Sequence, residues 1–332
     1  MEQPLAHRSP VTSSPGPRPV TELQQPFEPD LAAGVCMSEQ GQIRIGMSGW
    51  RYDEWRGGFY PEGLAQRREL EFASRQLNSI ELNGTFYSLQ KPKSYQAWAK
   101  ETPDDFVFSV KGTKFITHVR SLENVATPLA NFLAQGLLGL GRKLGPILWQ
   151  FPPAFKFNAK LLDEFFGLLP RTHKQAAAYA RQRDEWMADR SWLDVEEDLP
   201  LRYAIETRNK SFAVPEYISL LRKNQIAVVV ADSVKWPRMM DVTADFVYCR
   251  LHGSEEGYPN GYDPDAIDGW ARRILAWSRG EEVTDGLRVH PDPAPSQASR
   301  DVFVYFDDDV KVRAPLDAQS LTGRIRELSA AR

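Results

Sequence analysis

Two segments of the chain carry acidic, basic and imidazole side chains at a spacing that can support acid–base chemistry. Glu206 and Arg208 lie two residues apart, and so do Arg250 and His252. In an extended strand, residues two apart point to the same side, so each pair would face one space. A carboxylate with an imidazole can transfer protons, and a guanidinium can hold an anionic group. The pattern therefore predicts acid–base chemistry on an anionic ligand.

The same alternation selects further candidates at the ends of other apolar runs. Ile80 and Leu82 take one side of their run, so Glu81, Asn83 and Thr85 take the other. The candidates for proton transfer are Glu206, His252, Glu81 and Asp232. The candidates for substrate binding are Asn83, Lys111, Arg208, Arg250, Gln150, Trp50, Tyr87 and Asp307.

Opposite charges nearly balance within this set. The cations Lys111, Arg208 and Arg250 and the titratable His252 oppose four carboxylates, which are Glu81, Glu206, Asp232 and Asp307. Buried charges are costly unless they are paired or bound to a ligand. Two interpretations follow, an internal cluster of salt bridges that satisfies itself and a polar pocket for an anion.

A divalent metal is a further alternative for the same side chains. A metal-assisted phosphodiesterase needs three or more ligands around the ion, which carboxylates and His252 can supply in part. Of the five histidines, only His118 and His252 fall near the predicted strand ends. This excludes a histidine-rich trinuclear zinc site, and we assign no metal ligand and leave the cofactor open.

Aromatic and basic residues alternate in the segments that follow the first three runs. These segments are 49–57, 83–87 and 111–118. Aromatic rings beside cations suit single-stranded nucleic acid, a flipped base or a sugar phosphate. The alternative is that rings such as Trp55, Phe59 and Tyr60 pack as a cap over the barrel edge.

Eight short apolar runs must position these side chains, and helical patterns separate most of them. The alternation of strand and helix predicts a single (β/α)8 barrel of the TIM type, in which catalytic groups lie at the C-terminal ends of the strands. The weakest connection is 236–244, which offers at most a short helix. An open doubly wound sheet is the alternative, but the glycine-rich phosphate motif after its first strand is missing. The runs are 43–49, 79–86, 106–113, 146–151, 202–209, 227–232, 246–253 and 302–309.

The remaining segments lie outside the barrel pattern. Residues 1–40 are polar and carry seven prolines, which predicts a disordered tail before a barrel domain at 41–332. Met37 precedes the first run closely, so it is an alternative start. Two charged or proline-rich segments, 171–199 and 279–300, are predicted insertions outside the barrel wall.

Composition limits the protein class. A net charge of −3 gives no overall attraction to nucleic acid or to an anionic membrane. The two cysteines lie far apart, and no apolar stretch approaches the roughly 18 residues of a membrane helix. We expect a cytoplasmic protein with no membrane partner, whose partner is a small anionic ligand or a nucleic acid.

Six collinear motifs closely resemble the YecE-like family of domains of unknown function. They are IRIGMSGW (43–50), ELNGTFY (81–87), TPDDF (102–106), QFPP (150–153), ADFVY (244–248) and RLHG (250–253). The resemblance spans about 43–321 and implies a TIM-type barrel in bacterial cytoplasm, without an established activity. Such barrels resemble those of endonuclease IV and the sugar isomerases, which implies, by analogy, a nucleic-acid or sugar-phosphate substrate.

The chain also departs from the commoner pattern of that family. Many members have asparagine where this chain has Asp307 or Asp308, and again where it has Asp317. Acids in place of amides argue against simple phosphate binding at those positions. The fifth-run pattern is kept as Glu206, Arg208, Ser211 and Phe212.

Three functions remain open from the sequence. The first is an enzyme acting on a phosphorylated or nucleic-acid-derived substrate, either a phosphodiesterase-like hydrolase or an isomerase. The second is a non-catalytic nucleic-acid-binding or repair-accessory module. The third is a sensor that binds a small ligand without turnover.

Overall fold

Eight parallel strands form a closed barrel. The computed structural model describes residues 40–253, 261–307 and 313–331. The strands are β1 (Ile43–Ser48), β2 (Ser79–Leu82), β3 (Val107–Lys111), β4 (Leu144–Gln150), β5 (Tyr203–Glu206), β6 (Ala227–Asp232), β7 (Phe246–Leu251) and β8 (Asp301–Phe306). Each strand pairs with the next, and β1 pairs with β8 to close the ring. The predicted TIM-type barrel is therefore confirmed.

Helices follow most of the strands. Within the described residues they are α1 (Glu69–Gln76), α2 (Gly84–Tyr87), α3 (Pro92–Glu101), α4 (Ala126–Ala134), α5 (Ala159–Leu168), α6 (His173–Ala180), α7 (Pro215–Lys223), α8 (Pro264–Ser278) and α9 (Ala314–Ala330). The connection from β6 to β7 contains no helix. This is the connection, 236–244, for which the helical pattern was predicted to be weakest.

Helix α8 illustrates how local sequence sets these boundaries. The Asp263 side chain accepts a hydrogen bond from the backbone N–H of Ala266 at 2.7 Å, and Pro264 occupies the first turn. Both features favour a helix start at this point. Ile267, Trp270 and Ile274 then recur at helical spacing and are all buried.

Side chains alternate between the barrel interior and the helices. On β7, Val247, Cys249 and Leu251 join the outer hydrophobic core, whereas Phe246 and Tyr248 belong to the interior cluster. The interior is hydrogen-bonded as well as packed, because the Tyr248 hydroxyl lies 2.7 Å from Ser109 Oγ. Polar residues at the last interior position of each strand consequently face the C-terminal end of the barrel, which we call the mouth.

The second strand is shorter than the sequence predicts. β2 ends at Leu82 and α2 begins at Gly84, so strand alternation does not apply to Thr85. The Thr85 hydroxyl donates to the backbone carbonyl of Lys111 at 2.6 Å and lies near that of Leu82. Placing Thr85 on a strand face was therefore wrong, because a short apolar run does not mark its own end.

The aromatic residues after β1 pack as a cap, one of the two roles considered for them. Trp55, Phe59 and Tyr60 are buried and contact one another and Phe72. The Tyr60 hydroxyl donates to the backbone carbonyl of Trp50 at 2.6 Å. These rings hold the β1 loop in place and are not available to a ligand.

The predicted tail, 1–40, falls outside the described residues except for its last position. The predicted insertion at 171–199 contains α6, which packs against α4, and 279–300 forms neither helix nor strand. No helix in the described part of the chain is long and apolar enough to span a membrane.

Candidate functional site

Arg250 lies at the centre of the mouth and contacts three carboxylates. It is fully buried on β7. Its Nε and Nη2 atoms donate to Glu81 at 3.1 and 2.9 Å, Nη1 donates to Glu206 Oε2 at 2.5 Å, and Nη2 donates to Asp307 Oδ2 at 2.5 Å. We call these four residues the charged cluster. Because they come from β2, β5, β7 and the end of β8, they tie four parts of the barrel together.

The carboxylates of Glu81 and Glu206 are already hydrogen-bonded within this cluster. Glu81 also accepts from Ser48 Oγ at 2.7 Å and from the Tyr248 hydroxyl at 2.8 Å. Glu206 Oε1 accepts from Arg208 Nε at 2.6 Å. Burial alone would raise the pKa of Glu206, but Arg250 and Arg208 outweigh it and hold that pKa well below its usual range. A carboxylate held ionised in this way is a weak base, so the catalytic role predicted for Glu206 gains no support.

Lys111 lies beside the charged cluster, and no carboxylate in the described part of the chain contacts its amine. The side chain extends from β3, is 8% exposed, and places Nζ 4.7 Å from the centre of the Phe86 ring. Burial and the charge of Arg250 lower the pKa of Lys111 to about 8, although nearby carboxylates oppose them. Within the described residues its amine forms no hydrogen bond or ion pair. Lys111 is therefore a buried cation without a paired anion among the described residues.

Arg208 and His252 both contact Trp236. The Arg208 guanidinium lies 4.1 Å from the centre of the Trp236 ring, and the His252 ring meets Trp236 edge to face at 5.3 Å. Trp236 belongs to the loop after β6, where the sequence showed no periodic pattern. Its position makes it part of the mouth, although it was not among the predicted site residues.

The hydrogen bonding of His252 determines which ring nitrogen carries the proton. Nδ1 lies 3.0 Å from the backbone carbonyl of Asp307, which can only accept, so Nδ1 must be the donor. Nε2 is buried and has no hydrogen-bond partner within the described part of the chain. Burial and then Arg250 lower the pKa of His252, so the ring is neutral near pH 7. Its Nε2 lone pair is therefore able to accept a proton.

The carboxylates of the mouth face a guanidinium. Among residues 40–253, 261–307 and 313–331, no group of three or more His, Cys, Asp or Glu side chains is arranged to hold a metal ion. The Arg250 guanidinium takes the position between Glu81, Glu206 and Asp307 that a cation shared by them would need. These residues therefore offer no support for the divalent-metal alternative.

Asp232 does not point into the mouth, which corrects its predicted position. Its Oδ2 accepts from the Tyr262 hydroxyl at 2.9 Å and from Trp270 Nε1 of α8 at 3.3 Å, and Arg238 lies 3.0 Å from Oδ1. Val228 and Val230, on the same face of β6, belong to the outer core. Asp232 therefore fixes the start of α8 to the barrel wall and does not join the charged cluster.

The remaining candidates divide between the mouth and its surroundings. Gln150 is buried at the end of β4, aligned with Glu206. Tyr87 is 70% exposed at the edge of the mouth, with Lys114 Nζ 5.3 Å from its ring centre. Trp50 and Asn83 line a cleft beside the barrel whose lining includes none of the charged-cluster residues. The structure thus separates the predicted substrate-binding residues into two places.

The aspartates that stand where many family members have asparagine lie in different surroundings. Asp307 contacts Arg250 in the charged cluster, whereas Asp317 is buried in α9 and accepts from the Tyr262 backbone N–H at 3.1 Å. Burial raises the pKa of Asp317. Asp317 therefore supports the segment before α8, and Asp308 lies outside the described residues.

Tyr248 and Phe86 complete the mouth, but neither was selected as a site residue. Tyr248 donates to Glu81 from the interior of β7, and Phe86 lies under the amine of Lys111. Strand alternation places Tyr248 on the same side of its run as Arg250, but the candidates on that run were the charged or titratable Arg250 and His252. Phe86 follows the end of β2, where alternation no longer applies.

Comparison with known proteins places the chain in a family. The sequence matches the profile described as "Protein of unknown function DUF72" over residues 44–331. UPF0759 protein YunF of Bacillus subtilis is 25% identical over 284 residues, which cover 80% of this chain and 88% of YunF. UPF0759 protein YecE of Escherichia coli is 31% identical over 114 residues, which cover 34% of this chain and 39% of YecE.

Solved structures of DUF72 family proteins show the same fold. One from Thermotoga maritima has a TM-score of 0.64 at 22% identity and covers 86% of this chain and 99% of its own. One from Enterococcus faecalis has a TM-score of 0.58 at 17% identity and covers 88% and 99%. As the six motifs predicted, the chain belongs to the DUF72 family of proteins of unknown function.

Proposed function

We propose that the mouth binds a small phosphorylated molecule and transfers protons on it. One observation carries the proposal. His252 Nε2 is a buried atom without a hydrogen-bond partner among the described residues. Lys111, 8% exposed, forms no hydrogen bond or ion pair through Nζ in the same part of the chain, and Arg250 lies close enough to both side chains for its charge to lower their pKa. Buried polar atoms are rarely left without hydrogen bonds, so a ligand is the expected partner.

The cations of the mouth suit an anionic group on that ligand. Arg250 pairs with three carboxylates and Arg208 pairs with one of them, so these two cations offset part of the negative charge below the ligand position. Lys111 and Arg208 both lie close enough to His118 for their charges to lower its pKa. Lysine and arginine bind phosphate oxygens through charge-assisted hydrogen bonds. We assign the phosphate group to Lys111 and Arg208.

His252 is the group best placed to move a proton. Its neutral ring has Nε2 unprotonated, and its Nδ1–H is fixed by the Asp307 carbonyl. When Nε2 takes a proton, the nearby carboxylates of Glu206 and Asp307 stabilise the imidazolium. Lys111, with its lowered pKa, can return a proton to the substrate. This is the proton transfer of an isomerase, and it requires no nucleophile.

Binding is tested by calorimetric titration with inorganic phosphate and a panel of aldose and ketose phosphates. We expect Lys111→Met and Arg208→Gln each to weaken binding about tenfold, as the loss of a charge-assisted bond predicts. Lys114→Met, on the exposed edge, is the matched control and should bind normally. Equal affinity of wild type and Lys111→Met, or no binding by wild type, would reject the proposal.

Proton transfer has a separate test, because it depends on His252, which is not assigned to the phosphate group. A bound sugar phosphate incubated in D2O should exchange the hydrogen next to its carbonyl, followed by NMR. His252→Gln should bind the sugar phosphate but lose the exchange. Exchange at the wild-type rate in His252→Gln would exclude His252 as the base and leave a binding protein or a sensor.

Nucleic-acid binding is a second candidate, favoured by two exposed cation–aromatic pairs at the edge of the mouth. Lys114 lies over Tyr87, and Arg120 lies 5.3 Å from the centre of the 41%-exposed Phe115 ring. Exposed rings beside cations can stack with unpaired bases. Oligonucleotide affinity should then fall with salt and decrease in Lys114→Met. Affinity that does not change with salt would remove this candidate.

A further inference from the structure

A cleft of about 640 Å³ lies beside the barrel. None of the charged-cluster residues lines it, nor do Lys111, Arg208 or His252. Its walls come from the loop after β1, the segments that begin α1 and α2, and the outer side of α3. The aromatic, cationic and amide side chains that line it include Trp50, Arg51, Arg67, Asn83, Lys93 and Trp98.

Two tryptophans give the cleft an aromatic surface. Trp50 and Trp98 meet edge to face, with ring centres 5.5 Å apart and planes at 81°. Trp98 is only partly buried. Trp50 is buried, so the exposed part of Trp98 is the main surface that a flat aromatic ring can contact.

Positive charge surrounds the opening of the cleft. Arg51, Arg67 and Lys93 are exposed, and the one acidic residue among the cleft-lining residues is Glu101. Within the described residues, Arg67 and Lys93 form no ion pair, whereas the adjacent Arg68, which does not line the cleft, pairs with Glu71 at 3.1 Å. The cations that face the cleft therefore remain available to an anion.

Asn83 adds a requirement for a hydrogen-bond donor. Its Oδ1 atom is buried and has no partner within the described part of the chain, and its side chain does not cap α2. A buried carbonyl oxygen without a hydrogen bond is costly. A ligand N–H group in the cleft would satisfy it.

We propose that this cleft is a second ligand site, separate from the mouth, for a nucleoside monophosphate. The base lies against Trp50 and Trp98, one of its N–H groups donates to Asn83 Oδ1, and the phosphate contacts Arg67 and Lys93. A flat ring, an N–H donor and an anion are the three properties that the cleft selects. The proposal uses none of the residues assigned to the phosphate or the proton transfer in the mouth.

The test is calorimetric titration of the full-length protein with the four common ribonucleoside monophosphates, their nucleosides and inorganic phosphate. We expect at least one monophosphate to bind, and its nucleoside and phosphate to bind at least tenfold more weakly. Arg67→Gln should lower the affinity about fivefold. Arg68→Gln is the matched control, because it removes an adjacent exposed charge outside the cleft, and should bind normally. Asn83→Leu should weaken the binding of the monophosphate but not that of inorganic phosphate.

Several outcomes would overturn the proposal. One is a dissociation constant above about 5 mM for every monophosphate. Another is an equal loss of affinity in Arg67→Gln and Arg68→Gln. Binding of a single-stranded oligonucleotide through Arg67 without binding of monophosphates would assign the cleft to a nucleic-acid strand instead. Lys111→Met distinguishes the two sites, because it should weaken the binding of sugar phosphates in the mouth and leave the affinity of the cleft for the monophosphate unchanged.

Discussion

Replacing Arg250 by methionine removes the cation that contacts Glu81, Glu206 and Asp307 together. Glu206 keeps Arg208, but Glu81 loses both of its contacts with the guanidinium. Removing one partner of a buried ion pair costs about 3–5 kcal/mol, because the other charge stays buried. We expect Arg250→Met to lower the free energy of unfolding by about 4 kcal/mol at pH 7.

The pH dependence of this loss follows from the direction of the pKa shifts. In the wild type the pKa of Glu206 lies well below its unfolded value, so its stabilisation is present above the unfolded pKa and is lost as pH falls through the folded pKa. In Arg250→Met the carboxylates that lose the guanidinium remain buried and charged, which destabilises the fold at neutral pH. Protonation at lower pH removes the uncompensated negative charge and with it this destabilisation. The difference between the two proteins should therefore shrink between pH 7 and about pH 4.5.

Urea unfolding followed by fluorescence and circular dichroism at the two pH values measures both effects. Adding Glu81→Gln to Arg250→Met should restore part of the stability, because it removes one uncompensated charge. Arg142→Met, which breaks the exposed pair with Glu197, is the control and should leave stability unchanged. A loss below about 1 kcal/mol in Arg250→Met at pH 7, or a difference that grows at low pH, would refute the argument.

Three further predictions test the surroundings of the cluster. Lys111→Met should raise the free energy of unfolding at pH 7 by up to about 3 kcal/mol, because burial lowers the pKa of Lys111 to about 8. That gain should shrink as pH rises from about 8 toward 10.5, where the lysine of the unfolded chain also loses its proton. Urea unfolding across this range checks the prediction, and a destabilised variant would contradict it. Gly112→Ala should lower the free energy of unfolding by about 1–3 kcal/mol, because a Cβ would lie 2.1 Å from the Trp149 ring. Gly323→Ala, in open space on α9, should raise it by about 0.5–1 kcal/mol. Similar melting temperatures for the two variants would be evidence against this packing. Asp232→Asn should lower the melting temperature and leave phosphate titrations unchanged, since Asp232 faces α8; weaker phosphate binding would place it back in the mouth.

Strand alternation predicted most of the charged cluster, since it needs only the period of two. It placed Glu81, Glu206, Arg250 and Asp307 on the interior side, where the structure has them. It did not predict which of them meet, because that depends on the register between strands far apart in sequence. The near balance of charge likewise gave no indication that three carboxylates share one guanidinium.

Alternation failed at Asp232 because β6 has no polar residue before it. Ala227–Asp232 is apolar on both faces up to its last residue, so the pattern does not show which face is interior. The deciding partners, Tyr262 and Trp270, come from a distant segment and supply the donors that hold Asp232 outward. Trp236 was missed for a related reason, since an irregular loop has no period from which its direction follows.

The proposed phosphate site in the mouth is tested most directly by soaking crystals with tungstate, an anomalously scattering mimic of phosphate. We predict anomalous density between Lys111 Nζ and the Arg208 guanidinium, beside His252 Nε2, and its disappearance in the Lys111→Met and Arg208→Gln proteins. Density elsewhere with none at these residues, or density that persists in both variants, would contradict the assignment of Lys111 and Arg208 as the anion-binding residues.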